Sequence, residues 1–419
     1  MNNSTTNTAF TYRSQWMFVL LVVIMALRIT SYFTLFPNSV AMTQVVKTGL
    51  RILLTAISAA AYFNLRARYG NWRLRTQNWL PVLFYVLYLL LGLLSVMWSS
   101  LVHYTLLQWA MITEALAFAW FFCQWLVFYN HLSGNHASFS RVFGRATLWV
   151  GLAFLIGLYI DPATFYRETH GGEVARLGGF IINPNELGML AVLGAVMAYM
   201  EWMYGGEKWW NFWLWVVSVA VLLLTQSRSS LGAFLLVTGL SVLLSGNLKL
   251  QLAATVAAVL ILPLLVQTII VKQGDLEEVM SMTGRLPFWK DLIADGFTQK
   301  PILGYGFMCI SYGEYFYSIH AYAAKMTHNT FVQVLLNLGL VGAFICLTQM
   351  ILTFFTVGRT SDSYLKYLAI FMLIPILINS FTEFGIFGES NYGIQFYQLL
   401  ILLFVFVPQA RYQKPSIHE

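Results

Sequence analysis

Apolar runs long enough to cross a lipid bilayer occupy most of this 419-residue chain and limit what it can fold into. A transmembrane helix needs about 20 consecutive, mostly apolar residues, because each residue advances the helix by only about 1.5 Å. The sequence therefore predicts an all-α, polytopic integral membrane protein with about twelve transmembrane helices. The predicted spans are 16–36, 40–65, 79–98, 106–128, 146–160, 186–204, 210–225, 230–246, 250–272, 329–355, 367–386 and 393–410.

The composition argues against a soluble globular domain. Hydrophobic residues make up 58% of the chain and charged residues only 10%, whereas soluble domains carry about 25% charged residues. Aromatic residues, at 16%, fit rings placed at the two headgroup belts of a membrane. The three cysteines lie far apart, and Cys123 and Cys346 fall in apolar runs. We therefore expect small buried thiols rather than a metal or redox site.

Basic residues are distributed unevenly between alternate connections. The first apolar run lacks a small-residue cleavage site, so we interpret it as a transmembrane helix rather than a removed signal peptide. With the N-terminus in the cytoplasm, most Lys and Arg fall on cytoplasmic connections, as the positive-inside rule requires. We therefore predict a bacterial inner-membrane protein with both termini cytoplasmic, and no nucleic-acid partner. The segments predicted to face the periplasm include 161–185, 226–229 and 273–328.

The longest polar segment, residues 273–328, divides the chain into three parts. Residues 1–272 contain nine predicted spans, and residues 329–419 contain three spans and a cytoplasmic tail. Arg285 and Trp289 are four residues apart within the insert, so they would share one face of a helix. The proline and glycines of KPILGYGF would end that helix. The insert is therefore predicted to be a helical lid on the periplasmic side.

Four cationic or titratable residues fall on the same predicted periplasmic side: Arg176, Arg228, Arg285 and His328. Arg228 lies in LLLTQSRSSLGAFLL, between two closely spaced apolar runs. An arginine at membrane depth costs a few kcal/mol unless it has a partner or a function. An interfacial anchor is the alternative interpretation of Arg228.

Three further basic residues, Arg28, Lys47 and Arg51, lie inside the first two apolar runs. Charged side chains within membrane helices usually pair with one another or take part in function. These three are either functional or paired with acids such as Glu114 and Glu383, and the sequence leaves both interpretations open.

Motifs of enzymes that use soluble nucleotides are missing from the sequence. There is no Walker loop, no dinucleotide-binding glycine fingerprint, no DxD pair and no HExxH, and GESNYG does not match a GxSxG elbow. We therefore predict neither a nucleotide cofactor nor a bound metal.

Two polar groups at predicted helix starts have both a structural and a functional interpretation. Asn183 and Asn185 flank Pro184 at the start of the sixth span, which is typical of a helix N-terminus. Their amides could also hydrogen-bond a sugar or a pyrophosphate. His328 and Asn329 would close the insert and cap the tenth span. Because histidine titrates near neutral pH, His328 could also act as a general base.

Four sequence blocks carry a resemblance to a known family: NPNELG, SRSSLGAF, TGRLPFWKDLIADGFTQKPILGYGF and HNTFVQVLLNLGLVG. In this order, within residues 176–345, they resemble the O-antigen polymerase/O-antigen ligase superfamily, which includes exopolysaccharide polymerases. Arg285 and Gly296 have ten residues between them, similar to an Arg-x10-Gly element of the polymerase branch. Arg176 departs from that spacing by one residue, because the matching Gly188 is twelve positions on.

The resemblance implies a metal-independent membrane glycosyltransferase of the GT-C-like class. Its donor would be a glycan carried on undecaprenyl diphosphate at the periplasmic face. The acceptor would be the next lipid-linked glycan in a polymerase, or lipid A-core in a ligase. Membrane lipids would surround the protein, and a chain-length regulator and a flippase would be its partners.

Roles for individual residues follow from this chemistry. Arg228 and Arg285, together with Arg176, would hold the diphosphate and stabilise its growing charge. His328 would deprotonate or orient the acceptor hydroxyl. The remaining predicted substrate-binding residues are Asn183, Asn185, Trp289 and Asn329, and the alternative bases are Glu173, Glu186 and Glu314.

The TGR and HNTF forms resemble polymerases more than ligases, so we favour repeat-unit polymerisation over ligation or transfer to a protein. A transporter of lipid-linked oligosaccharides is the competing class, since intramembrane charge suits that function as well. The charges predicted here cluster on one face, and no repeat relates the two halves of the chain, which argues against a transporter. A purely structural membrane scaffold is a third interpretation.

Overall fold

Helices make up almost all of the regular structure in the computed structural model of this chain. The residues it describes are 3–36, 39–68, 77–133, 139–169, 174–204, 206–267, 282, 285–308, 327–383 and 385–406. The helices are α1 (Asn3–Thr30), α2 (Val40–Arg68), α3 (Leu80–Leu94), α4 (Val102–Ser133), α5 (Phe139–Ile160), α6 (Pro162–Phe165), α7 (Pro184–Met203), α8 (Lys208–Thr225), α9 (Arg228–Leu244), α10 (Leu248–Leu265), α11 (Arg285–Asp291), α12 (Thr330–Arg359), α13 (Ser363–Thr382) and α14 (Tyr392–Val405).

The helices coincide with the predicted apolar runs. Within the described residues, eight helices are long and apolar enough to cross a membrane, namely α2, α3, α4, α5, α7, α8, α12 and α13. Four shorter apolar helical stretches overlap the other four predicted runs, namely Gln15–Thr30 in α1, Arg228–Leu244, Gln251–Leu260 in α10 and Tyr392–Val405. The prediction of an all-α polytopic membrane protein is confirmed, whereas the count of twelve spans remains a prediction.

The segment 161–185 contains structure that was not predicted. Asp161 caps the short helix α6, because its side chain accepts a hydrogen bond from Thr164 N. Two strands follow, β1 (Tyr166–Thr169) and β2 (Val174–Leu177), and pair in antiparallel register. This small hairpin is folded back towards the start of α7, and it contributes directly to the site described below.

Successive helices run back and forth, so their connections gather at two ends of the bundle. At one end, which we call the site end, the connection after α1 contacts the connection before α7, where Thr34 N donates to Ile181 O (2.7 Å). The described parts of the three segments predicted to be periplasmic lie at this end. At the opposite, basic end, Arg145 pairs with Glu207 (2.9 Å). The positive-inside rule thus divides the connections into the same two groups as the structure does. The compartment that each end faces remains a prediction.

The centre of the bundle is formed by α7 and α14. Every residue of α14 is buried, and so are most residues of α7. A helix that is apolar and buried on all sides is enclosed by other helices. Peripheral helices such as α10 instead expose large apolar side chains, which suit contact with lipid tails. Examples on α10 are Leu248, Leu252 and Val259.

The described part of the polar insert is helical, as predicted. The short helix α11 continues through a π-turn (Leu292–Gly296) and a 3-10 turn (Phe297–Gln299). Trp289 and Leu292 are buried on the same face and pack against Leu336 of α12. Residues 273–281 and 309–326 lie outside the described residues, so closure of the insert as a lid stays a prediction.

The KPILGYGF turn fits into a break in α12. Gly339 has φ 60° and ψ −158°, so it interrupts the helix in a conformation that a residue without a Cβ adopts readily. The backbone of the turn pairs with α12 on both sides of the break. Tyr305 N donates to Leu336 O (3.0 Å), and Leu340 N donates to Pro301 O (2.8 Å). The turn therefore anchors the insert to the start of α12, where His328 is placed.

Candidate active site

One buried carboxylate, Glu383, lies at the centre of the polar residues at the site end. It immediately follows α13 and is 5% exposed. His328 Nδ1 lies 2.6 Å from Glu383 Oε2, and Arg285 Nη2 donates to Oε1 (3.2 Å). Asn185 Nδ2 also donates to Oε1 (3.1 Å). Glu383 is therefore contacted from three places: the start of α7, the insert, and His328, which precedes the cap of α12.

The surroundings of Glu383 keep its side chain ionised. Burial by itself raises the pKa of this carboxyl, since it penalises the charged form. The hydrogen bond and charge of His328, the charge of Arg285 and the amide of Asn185 act in the opposite direction. Together they outweigh burial and hold the pKa of Glu383 below its ordinary value.

His328 adopts a backbone conformation that few residues other than glycine take. Its φ is 50°, in the left-handed region where a Cβ is crowded. The next residue, Asn329, caps α12, because its Oδ1 accepts from Phe331 N (2.9 Å) and Val332 N (3.1 Å). This tight entry into α12 holds the imidazole against Glu383. An ionised carboxylate only accepts hydrogen bonds, so Nδ1 carries the proton in the neutral ring and Nε2 is the basic nitrogen.

Arg285 is the first residue of α11 and is held between two groups at the end of α13. Its Nη1 donates to Thr382 O, and its Nη2 donates to Glu383. The third guanidinium nitrogen, Nε, is buried and has no hydrogen-bond partner among the described residues. A buried donor without a partner carries a desolvation penalty of about 1–3 kcal/mol. Arg285 therefore retains a donor that an anionic ligand can satisfy.

The start of α7 links Glu383 to a second arginine. Asn183 is the N-cap, because its side chain accepts from Asn185 N (2.9 Å), and Pro184 occupies the first turn. Asn185 then uses both ends of its amide, since Oδ1 accepts from Arg176 Nη2 (2.6 Å) while Nδ2 donates to Glu383. The predicted helix start is confirmed, and one of its two asparagines connects two charged groups.

The β-hairpin places positive charges next to one another. Arg176 in β2 is the register partner of Arg167 in β1, and like charges directly opposite destabilise a strand pair. Burial lowers the pKa of the Arg176 guanidinium to about 10, and the charges of Arg167, Arg228 and Arg285 act in the same direction, while Glu383 opposes them. Arg176 remains charged at neutral pH. We call Arg167, Arg176, Arg228 and Arg285 the arginine cluster.

Arg228 reaches this cluster because two spans turn sharply beside it. It is half-buried and begins α9 immediately after Ser227, whose side chain caps the helix by accepting from Ser230 N (3.4 Å). The start of α9 lies close to α7 because position 188 is a glycine, where a Cβ would stand 2.7 Å from Ser230 Oγ. Gly188 thus allows the helix contact that sets Arg228 beside Arg176.

The remaining predicted site residues hold the backbone around His328 and α7. Trp289 Nε1 donates to Thr327 O (2.7 Å), directly before His328, and Asn329 and Asn183 are helix caps. Their substrate-binding roles stay predictions, because these contacts are all within the protein. Two of the alternative bases, Glu173 and Glu314, lie outside the described residues.

Two residues at the site were not identified from the sequence. Glu383 was considered only as a partner for intramembrane cations, although an acid at the end of an apolar run is as unusual as Arg228 and invites the same argument. Arg167 was overlooked because the hairpin was not predicted. The stretch YRETHGGEVARL has a Gly-Gly pair between two short segments that contain Tyr166, Thr169 and Val174, which is a hairpin signal.

A second ion cluster accounts for two of the cations in the first two apolar runs. Arg28 Nη1 and Nη2 donate to the two carboxylate oxygens of Glu114 (2.7 and 2.9 Å), and Arg51 Nη2 pairs with Glu114 at 3.1 Å. Arg28 also donates from Nε to Gln395 (3.0 Å) and from Nη1 to Arg51 O (3.2 Å). The interpretation of Arg28 and Arg51 as partners of Glu114 is confirmed.

The molecule is a polytopic helical membrane protein with an ionic site built from helix ends at one end of its bundle. Residues 213–347, about a third of the chain, match the family described as O-antigen ligase. This match confirms the resemblance to the O-antigen polymerase/O-antigen ligase superfamily. It includes Arg228, Arg285 and His328, whereas Glu383 and Arg176 lie outside the matched residues. No curated protein matches the chain.

Proposed function

We propose that this protein is a metal-independent membrane glycosyltransferase that transfers a glycan from undecaprenyl diphosphate at the periplasmic face and thereby polymerises lipid-linked repeat units. The family match supports an enzyme of the O-antigen ligase/polymerase type. The observation that carries the proposal is the convergence of Arg176, Arg285 and His328 on Glu383 at the site end.

The arginine cluster is proposed to bind the diphosphate of the donor. Guanidinium groups bind phosphate oxygens through paired hydrogen bonds and stay charged at neutral pH. Arg167, Arg228 and Arg285 each act electrostatically on Arg176, and Glu383 opposes them. An anionic ligand would relieve this repulsion and would also satisfy the buried Nε of Arg285.

The reaction that this arrangement supports is a direct displacement at the anomeric carbon. The bond between that carbon and the phosphate oxygen breaks, and its electron pair stays on the diphosphate, where the arginines stabilise the added charge. The acceptor hydroxyl oxygen forms the new glycosidic bond, and its proton passes to His328 Nε2. Glu383 orients the imidazole through Nδ1 and stabilises the imidazolium that forms. Polar residues of the insert would limit attack by water.

Ligation to lipid A-core is the second candidate, and the printed description of the matching family, O-antigen ligase, favours it. The TGR and HNTF forms favour polymerisation. Both activities need the same donor site and differ in the acceptor. A transporter would need charged groups that open alternately to both sides, whereas Arg28 and Arg51 are sealed, with side chains 1% and 3% exposed.

The test uses purified protein in liposomes with an undecaprenyl-diphosphate-linked repeat unit, with and without lipid A-core, and separates the products on a gel. A ladder from the repeat unit alone is expected. Product that forms only when lipid A-core is present would identify a ligase instead. Absence of transfer to any acceptor from a folded preparation would refute the glycosyltransferase proposal and favour the transporter.

A further inference from the structure

A second polar group lies beside His328 and Glu383, on residues to which the mechanism above gives no role. Glu389 follows Glu383 in the connection between α13 and α14 and is half-buried. Tyr104 Oη and Gln108 Nε2 of α4 both donate to Glu389 Oε1, at 3.2 and 3.3 Å. Because two donors from one helix hold the same oxygen, the carboxylate has a defined position. His328 lies close enough for its charge to act on Glu389.

Two more charged side chains complete this group. Lys47 of α2 and Glu186 in the first turn of α7 are half-buried, and each acts electrostatically on the other and on Glu389. Among the described residues, Lys47 is not closed into an ion pair with either carboxylate. These groups are therefore held near one another without the direct pairing that a structural salt bridge would have.

A buried hydroxyl points to a ligand at the same place. Tyr392, the first residue of α14, is 1% exposed, and its Oη has no hydrogen-bond partner among the described residues. The charges of Glu186 and Glu383 both act on this hydroxyl. Most buried polar atoms in proteins are hydrogen-bonded, so this hydroxyl is a group that a ligand or ordered water would satisfy.

This group differs from the arginine cluster because it holds acidic side chains beside its one lysine. Acidic side chains and one ammonium lie in the same group, with no excess of cations, so the group suits neutral or amino sugars better than phosphates. Carboxylates accept hydrogen bonds, whereas Lys47, Tyr104 and Gln108 can donate them, and sugar hydroxyls do both. Glu383 acts electrostatically on both Arg176 and Glu186, and His328 acts on Glu389.

We propose that Lys47, Tyr104, Gln108, Glu186, Glu389 and Tyr392 form the subsite that binds the accepting sugar, which is neutral or carries an amino group. This subsite rests on the proposed function, since it places a sugar hydroxyl beside His328. The diphosphate of the donor binds on the other side, at the arginine cluster.

The first experiment measures transfer to an octyl glycoside of the repeat unit, which has no diphosphate and can therefore only accept. Glu389→Gln and Tyr104→Phe are expected to raise the KM for this acceptor about ten-fold, the usual effect of losing a hydrogen bond to a charged group. The KM for the lipid-linked donor should change less than two-fold. Glu207→Gln, at the basic end, is the matched control and should leave both KM values unchanged.

The second experiment measures binding without turnover. The full chain in nanodiscs is treated with an amine-reactive reagent, and acylation of Lys47 is followed by peptide mass spectrometry. The lipid-free repeat-unit oligosaccharide should slow acylation of Lys47 several-fold and leave Lys366, at the basic end, unaffected. Inorganic pyrophosphate, a probe for the arginine cluster, should not protect Lys47.

The outcomes separate this subsite from the proposed reaction. Transfer with an unchanged acceptor KM in Glu389→Gln, together with unprotected Lys47, would overturn the subsite and leave the glycosyltransferase intact. Protection of Lys47 without any transfer would support the glycan site and overturn the reaction. If a folded preparation shows neither transfer nor protection of Lys47, the subsite and the proposed reaction are both overturned.

Discussion

Two carboxylates in this protein, Glu114 and Glu383, each pair with two cations, yet their surroundings differ. Around Glu114, every guanidinium nitrogen of Arg28 donates a hydrogen bond within the protein. The side chains of Arg28 and Arg51 are only 1% and 3% exposed. This cluster joins α1, α2, α4 and α14, and its two guanidinium groups are buried although the Glu114 side chain is 18% exposed.

Around Glu383 the same kind of pairing is incomplete. Arg285 and His328 are 13% and 23% exposed, and Arg285 Nε is buried without a partner among the described residues. His328 also holds an unfavourable φ of 50°. Strained and under-satisfied groups are typical of functional sites, because a fully satisfied network gains nothing from a ligand. The comparison therefore supports the proposal that Glu383 takes part in the chemistry, whereas Glu114 stabilises the fold.

The same substitution at the two carboxylates tests this difference most directly. Glu383→Gln should reduce the rate of transfer about 10³-fold, in the range of a lost general base, because the amide no longer stabilises the protonated His328. Donor binding should change little. The rate of ladder formation in liposomes measures the effect, and a near-normal rate would show that Glu383 only supports the structure.

A smaller effect is expected when Arg285, which pairs with Glu383, is replaced by a residue with the same charge and a different shape. Arg285→Lys keeps the positive charge but removes the Nε donor and the paired geometry, so transfer should fall about 10²-fold, the cost of one transition-state donor. Steady-state kinetics with the lipid-linked donor measures this. Arg359→Lys, at the basic end, is the control for arginine replacement. Full activity of Arg285→Lys would mean that a point charge suffices.

At the Glu114 cluster, Glu114→Gln should affect stability rather than catalysis. It leaves Arg28 and Arg51 buried without a counter-charge, which destabilises a protein by about 3 kcal/mol. A lower melting temperature in detergent and a lower folded yield are expected, with kcat of the folded fraction within three-fold of wild type. A large loss of kcat at unchanged stability would remove the distinction between the two clusters.

Substitution of Arg167 in the hairpin should have a weaker effect on transfer, because this side chain is exposed. Arg167→Gln should raise the donor KM about three-fold, as expected for a rim charge on an anionic site, and the effect should diminish as salt increases. The substitution also removes a repulsive cross-strand pair, so it should not lower the melting temperature. A donor KM independent of Arg167 at low salt would exclude the hairpin from donor binding.

The smallest effect is expected from a chelator. Because arginines are proposed to neutralise the diphosphate, treatment with EDTA should leave the rate of transfer within experimental error. Restoration of a lost rate by Mg²⁺ or Mn²⁺, but not by an inert salt of equal ionic strength, would contradict the metal-independent mechanism.

Much of the fold could be predicted because the relevant signals are local. Hydropathy over about 20 residues located the spans, and short-range capping chemistry located the helix starts at Asn183 and Asn329. The segment 161–185 was the exception, because four-residue strands give a weak pattern beside long apolar runs. Its hairpin was missed, and Arg167 with it.

By itself, the sequence determined the class of protein, the positions of the apolar helices and the family resemblance, since each depends on residues close together in the chain. It also supplied the candidate residues Arg176, Arg228, Arg285 and His328. Only the tertiary structure decided which of them meet. His328 contacts Glu383 across 55 residues of sequence, and Arg285 reaches the end of α13. These contacts depend on which helix ends pack together, a long-range property that neither hydropathy nor local spacing encodes.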